Sequence, residues 1–480
     1  MKVQLIFSPP ILSSSLEVLA ERMWPPLSIL YLGGYLRAKF PHIDLKLTDG
    51  CRMGYDKTIS EIKAFNPDIV GISFLTTTSA GAMKLSRHIK KMFYGTTVVM
   101  GGIHATAFPE EVLKESTADF VVIGEGEETF YQIVKAIQEE ANPIVFQTMR
   151  GVWSLGSNGQ VYKNPPAQFI TSLDSIPFPA WDLIDLGAYK GYFLSKQTPE
   201  APQFWARGCP FSCTFCSNAV WKSSKPYLRL RSPDNICNEL EYLRTEFGIK
   251  EVFDQSDEFN NSLDHGLKVC RELKRRKLGI TWKTQMRAKP ITDELAREMA
   301  EAGCWYVHLG IESGNEQTLK GVKKFITLDD VENACRLLKK YGIKIRALFM
   351  IYNVWEENGH LRIEDSQMSM NTIKYAKSLI DNKLVDYVGW TATTPYPGSA
   401  LYDIALKYNL IKPEFMSNWE AWQKEELFMM KLPGISRQEQ RRIKLQGDWY
   451  KMLLMVKHLD FKLKDIPFII KRALHIMRKS

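Results

Sequence analysis

Residues 207–217 read RGCPFSCTFCS, and within them Cys209, Cys213 and Cys216 form a CxxxCxxC triplet. Thiolates at such close loop spacings hold iron–sulfur clusters. Three ligands on one loop bind three irons of a cubane and leave the fourth iron open to a ligand that is not protein. The competing readings are a zinc site and inert buried thiols. A structural zinc normally takes four ligands, whereas the nearest histidines on either side, His104 and His265, are far away in sequence. The other five cysteines, Cys51, Cys237, Cys270, Cys304 and Cys335, are scattered singly. That is a metal-type distribution and not a disulfide framework.

Downstream of the triplet the chain alternates strand-like and helical stretches. The strand candidates are QFWAR, KEVFDQ, ITWKTQMR, CWYVHLGIE, IKIRALFMI and DYVGWTATT. Six βα-type units over residues 203–402 predict a partial TIM-like barrel, whose reactive groups belong at the C-terminal strand ends. The cysteine triplet follows the first of these strands. Asp257 and Glu258 follow the second, Arg287 ends the third, and Glu312 and Ser313 end the fourth. A loop acid, a strand-end arginine and a capping serine each have an ordinary structural reading as well.

Upstream, residues 1–140 show the same alternation, with KVQLIF, LKLTD, IVGISF, TVVMGG and DFVVIG as short apolar runs between amphipathic stretches. This predicts an α/β, doubly wound, Rossmann-like parallel sheet. No GxGxxG follows its first strand, which speaks against NAD. Residues 141–202, with SNGQ, NPP and IPFPAW, break the rhythm and read as a connector, with one hairpin around Asn158 and Gly159.

RGCPFSCTFCS resembles the cluster loop of the radical S-adenosylmethionine (SAM) enzymes, with aromatic Phe215 just before the third cysteine. The resemblance implies a [4Fe-4S] cluster on Cys209, Cys213 and Cys216 whose open iron is chelated by SAM. An electron then cleaves SAM to methionine and a 5'-deoxyadenosyl radical. It also implies SAM contacts from Phe215, Asp257, Glu258, Arg287, Glu312 and Ser313. The family's Gly-rich turn after the fifth strand is replaced here by MIYNVWEENG.

The front domain resembles cobalamin-binding domains. Ser73 and Leu75 match the SxL element and, after an interval of 25 residues, Gly101 and Gly102 match the GG element. His104, Gly124, Glu125 and Gly126 recur in the front domains of B12-dependent radical SAM proteins. The resemblance covers roughly residues 3–402 and implies cobalamin contacts from Ser73, Leu75, Gly101, Gly102, His104, Gly124 and Glu125. The classical DxHxxG is absent, since Ser8, Pro9, Pro10 and Ile11 stand in its place and the first histidine is His42. The expectation is cobalamin whose lower face has no protein histidine.

The chain has 480 residues, 45% hydrophobic and 24% charged, enough for two or three domains. Its net charge of +9 is concentrated at the end, where residues 437–480 hold twelve Lys/Arg against four Asp/Glu. The nearly neutral body and the lack of an RNA-binding module make nucleic acid an unlikely partner. Residues 403–480 read as a helical C-terminal region. Ile466, Ile469, Ile470, Leu474 and Met477 fall on one side of it and Lys471, Arg472, Arg478 and Lys479 elsewhere. That pattern fits packing on the protein or a peripheral membrane contact. Trp419 and Trp422, spaced i, i+3, read as core. With no secretory signal and no apolar run of about 18 residues, the chain is expected in the cytoplasm, membrane-associated if the tail binds lipid.

The two-cofactor resemblance implies a B12-dependent radical SAM methyltransferase acting on an unactivated carbon, or alternatively a radical SAM/cobalamin oxidative cyclase or rearrangement enzyme. The implied partners are a small-molecule substrate (lipid, isoprenoid, tetrapyrrole or natural-product intermediate) and an electron donor such as flavodoxin or ferredoxin.

Overall fold

The computed structural model describes residues 1–11, 24–156, 158–189, 194–416, 418–423 and 429–458. The front domain is a seven-stranded sheet of β1 (Lys2–Phe7), β2 (Asp44–Asp49), β3 (Ile69–Ser73), β4 (Thr97–Gly101), β5 (Phe120–Val122), β6 (Val152–Leu155) and β7 (Val161–Lys163) in the order β2-β1-β3-β4-β5-β6-β7. The first five are parallel, as their near-continuous Val, Ile and Leu content requires of strands covered on both faces. Ile6, Val70, Ile72, Val98 and Met100 face one helical layer. Val3, Leu5, Ile69, Val99 and Val122 face the other, in a core continuous with that of the second sheet.

β6 and β7 form the hairpin expected in the connector, turning where Gly156 N–H donates to Gln160 O at 2.8 Å. They add antiparallel strands to the front sheet, so that sheet extends beyond residue 140. Connector residues 178–182 lie against the helix Leu27–Lys39, where a Cβ on Gly34 would stand 2.2 Å from Phe178 O and Ala180 N–H donates to Leu30 O at 3.0 Å.

The second sheet has six parallel strands: β8 (Glu200–Gln203), β11 (Glu251–Asp254), β12 (Thr281–Arg287), β13 (Cys304–Glu312), β14 (Lys344–Ile351) and β17 (Tyr387–Ala392), adjacent in chain order. Between them lie the two-residue pair β9 (Ala206–Arg207) and β10 (Arg229–Leu230), and the hairpin β15 (Val354–Glu357) and β16 (His360–Ile363). One boundary differs from expectation. The first barrel strand is Glu200–Gln203, carrying Pro202 at the sheet edge where proline is tolerated. Residues 205–206 leave the ladder because both their amides donate to Ser256 Oγ at 2.8 Å.

The C-terminal region folds back over both domains. The helix Arg437–His458 packs on β17 and on the helix Ser366–Asp381. Trp419 and Trp422 are buried against each other with ring centroids 5.6 Å apart. The amphipathic pattern over residues 465–480 lies outside the described residues. Among the described residues no helix is long and apolar enough to cross a membrane.

Candidate active site between the two sheets

The C-terminal strand ends of both sheets open onto one cleft of about 1310 Å3, counted out to its open mouth. Its front-domain wall is Ser73, Gly101, Gly102, Gly124 and Glu125, over a floor that includes Gly71, Ile72, Val99 and Val122. Its barrel wall is Gly208, Asn218, Trp221, Gln255 and Asp257. Ser73 Oγ donates to Ser28 Oγ at 3.0 Å. Gly102, at φ +110°, would put a Cβ 2.5 Å from Phe74 O, and Gly124 sits at φ +81°. Only a chain without Cβ atoms turns here while leaving its backbone open to a bulky ligand.

Leu75 and His104 do not line this cleft. The Leu75 amide closes a tight turn by donating to Thr78 Oγ1 at 3.1 Å. The His104 imidazole is buried behind Gly102, with Nδ1 3.3 Å from Thr76 Oγ1 and the Trp419 ring edge-on at 4.4 Å. Burial pushes its pKa down to about 3, so it is neutral. No histidine is among the described residues that line the cleft.

The cysteine loop leaves β9 through Gly208, at φ +85°, whose Cβ would stand 1.9 Å from Tyr227 O. It is tied down at Thr214, whose amide donates to Val322 O at 3.0 Å and whose carbonyl accepts from Leu401 N–H at 2.8 Å. Cys209 and Cys213 are partly buried and Cys216 is exposed, while Phe215 packs on the core. Burial pushes the thiol of Cys209 up to about 12 and raises that of Cys213. Iron must therefore supply the positive charge that holds them as thiolates. Among the described residues no three His, Cys, Asp or Glu side chains already converge on one metal ion. Thiolates that each take a different iron of a cubane need no such convergence.

Around the loop stand the strand-end charges. The Arg287 guanidinium, 1% exposed, stacks 3.5 Å from the centroid of the Phe211 ring. Nη1 lies 3.8 Å from Glu258 Oε1 and Nη2 donates to Lys324 O. Its Nε and Nη1, and Glu258 Oε2, are buried without hydrogen-bond partners. A buried fork with unused N–H groups fits a carboxylate, and an unused carboxylate oxygen fits an N–H of an amino group. Those are the two chelating groups of SAM's amino-acid end. Burial raises the carboxyl pKa of both Asp257 and Glu258.

Glu312 sits at φ +76° on a bulge where β13 loses register with β14. Its carboxylate folds back to the buried Lys324 ammonium at 2.9 Å. Gly310 leaves room for the pair, since a Cβ there would lie 2.7 Å from Glu312 Oε1. Ser313 is turned away into a buried network, with its hydroxyl 3.1 Å from both Glu364 Oε1 and Thr372 Oγ1. The structure thus gathers Cys209, Cys213, Cys216, Asp257, Glu258, Arg287 and Glu312 on one rim and places Ser313 beneath it. Lys324 and Phe211 join the rim unforeseen, because KGVKK reads as a solvated lysine run.

The pairing of these two domains recurs in known proteins. Residues 18–134 match the B12 binding domain family and residues 205–363 the radical SAM superfamily. An uncharacterized methyltransferase of Pyrococcus horikoshii is 31% identical over 99% of this chain and 97% of its own. The chain belongs to the cobalamin-dependent radical SAM enzymes. The anaerobic magnesium-protoporphyrin IX monomethyl ester cyclase of Rubrivivax gelatinosus is 29% identical over 79% of this chain and 66% of its own. Two solved structures share the fold. The cobalamin-dependent radical enzyme OxsB has a TM-score of 0.72 at 18% identity, over 99% of this chain and 71% of that one. The radical SAM methyltransferase TsrM of Kitasatospora setae has 0.68 at 17%, over 97% and 91%. A cobalamin-dependent radical SAM enzyme works with cobalamin, a [4Fe-4S] cluster and SAM, and the two walls of the cleft suit these groups.

Proposed function

We propose that the protein is a C-methyltransferase that places a methyl group on an unactivated carbon of a small molecule held between the two walls. The observation that carries this is the single continuous cleft, in which a glycine-lined wall faces a charged wall at Gly208 and Asp257, where the cysteine loop begins. Bound there, cobalamin supplies a methyl group and the cluster with SAM supplies a carbon-centred radical. The protein's own part is to orient and to exclude water. Cys209, Cys213 and Cys216 hold the cluster. Arg287 receives the SAM carboxylate and Glu258 its amino group, with Asp257 and Glu312 beside them, Phe215 packed under the loop and Ser313 bracing the strand end. Ser73, Gly101, Gly102, Gly124 and Glu125 shape the cobalamin side, where no histidine reaches the lower face; Leu75 and His104 support that wall from behind.

Anaerobic reconstitution with iron, sulfide, cobalamin and SAM, with dithionite supplying the electrons, should yield 5'-deoxyadenosine and S-adenosylhomocysteine together. Deoxyadenosine without adenosylhomocysteine would sink the methylase reading. The likeness to the cyclase favours oxidative cyclisation as the second reading. Product mass separates them, since methylation adds one CH2 and cyclisation removes hydrogen or adds oxygen. A change in the cob(II)alamin EPR superhyperfine splitting on labelling the protein's histidines with 15N would refute the histidine-free lower face. The electron donor we assign is a flavodoxin or ferredoxin. The C-terminal segment 460–480 either packs on the protein or makes a peripheral membrane contact, and sedimentation with anionic liposomes, with and without that segment, separates the two.

A further inference from the structure

The cysteine loop, residues 208–228, begins and ends at a narrow neck. β9 and β10 form its two sides, and their antiparallel ladder has only two residue pairs, Arg207 opposite Arg229 and Ala206 opposite Leu230. So short a ladder holds little by itself, and like charges directly opposite each other weaken it further. The charge is neutralised from the other domain. Arg229 grips the Glu125 carboxylate with both terminal nitrogens, Nη1 at 2.8 Å from Oε2. Arg207 Nη2 donates to Glu127 Oε1 at 2.6 Å, and its Nη1 lies 3.5 Å from Glu125 Oε1. Arg229 and Glu127 are almost fully buried, at 4% and 7% side-chain exposure. Removing one partner from such a set strands an uncompensated charge.

The two carboxylates belong to the turn that shapes the cobalamin wall. Glu125 lies between Gly124 and Gly126, Glu127 starts the helix Glu127–Gln138, and all four charged groups line the cleft. The Arg207 guanidinium also lies 5.0 Å from the ring of Tyr31, another wall residue. A ligand that fixes the 124–127 turn therefore fixes the neck of the cysteine loop.

We infer that Glu125 and Glu127, clamped to Arg207 and Arg229, are positioning residues that couple the two cofactor sites, so that cobalamin in the front wall stabilises the iron–sulfur cluster in the loop. By linkage the cluster tightens cobalamin binding by the same factor. The inference rests on the two-cofactor reading of the cleft. It concerns how firmly the cluster is held and is independent of the reaction catalysed.

The test uses full-length, anaerobically reconstituted protein and follows cluster loss to an iron chelator by visible absorbance, with and without hydroxocobalamin. In the wild type, hydroxocobalamin should slow the loss about tenfold, within the usual range for coupled sites. Glu125→Gln/Glu127→Gln should lose its cluster faster and gain no protection, while Arg207→Met/Glu127→Gln, which removes half of the clamp but strands no charge, should lose its cluster more slowly than that variant and gain less protection than the wild type. Unchanged loss in the wild type on adding cobalamin, or equal protection in the Glu125→Gln/Glu127→Gln protein, would overturn the coupling. Wild-type protein that assembles a cluster yet carries no corrinoid absorbance through gel filtration breaks the cofactor reading itself, and the inference with it.

Discussion

On one side of the cleft, strands end in Ser73, Gly101 and, just past β5, Gly124. On the other they end in or run on to Asp257, Arg287 and Glu312. The front wall makes room by omitting side chains over a floor of Ile72, Val99 and Val122. The barrel wall crowds in opposite charges and leaves a few of their hydrogen-bonding atoms unused. A large rigid macrocycle is suited by shape and backbone approach, whereas a small zwitterionic end group is suited by directional charge. Substitutions on the two walls should therefore fail in different ways.

The sharpest separation comes from Cys213→Ala. It should abolish 5'-deoxyadenosine formation and the cluster's visible absorbance, while hydroxocobalamin affinity falls by no more than about tenfold. Loss of all corrinoid binding would show that the walls are not separate sites. Arg287→Lys keeps the charge but loses the planar fork. Isothermal titration should show SAM binding weakened by about 10- to 100-fold with cobalamin binding unchanged.

Gly102→Ala attacks the other wall. At φ +110° and 2.5 Å from Phe74 O, an added methyl should cost about 1–3 kcal/mol in thermal unfolding. Corrinoid affinity should fall while SAM affinity holds. The smallest effect concerns His104, buried neutral with its pKa down at about 3 from 6.5. The unfolded chain takes up a proton below pH 6.5 and the folded one does not, so stability is lost as pH falls. Between pH 7 and pH 6 the loss from this group is roughly 0.7 kcal/mol. Urea unfolding of His104→Gln should show a correspondingly flatter pH dependence, with corrinoid binding intact if the residue only supports the wall.

Periodicity was enough to foresee both sheets, because parallel strands buried on two faces are written as unbroken apolar runs. It misplaced β8, since Glu200 and Pro202 disguise a strand that survives only at an edge. Local motifs located the cysteine loop and most of the rim. They could not locate Lys324, whose pairing with Glu312 depends on a bulge, nor show that Ser313 points down into Glu364 and Thr372. Arg207 and Arg229 meet carboxylates roughly 80–100 residues earlier in the chain, a separation at which spacing carries no signal. The local pattern even misleads, since arginine alternating with leucine ordinarily reads as a strand with its charged side in water, whereas Arg229 is buried.

The hairpin of β6 and β7 gives the connector a mechanical consequence. By hydrogen-bonding along β5 it caps the edge of the front sheet, and its own chain then runs on over the helix Leu27–Lys39 into β8. On the way it is bonded to both sides: Asp182 holds Arg37 of that helix, and Trp181 Nε1 donates to Glu239 Oε1 of the helix Pro233–Phe247 at 3.0 Å. A swing of whole domains would have to break these bonds.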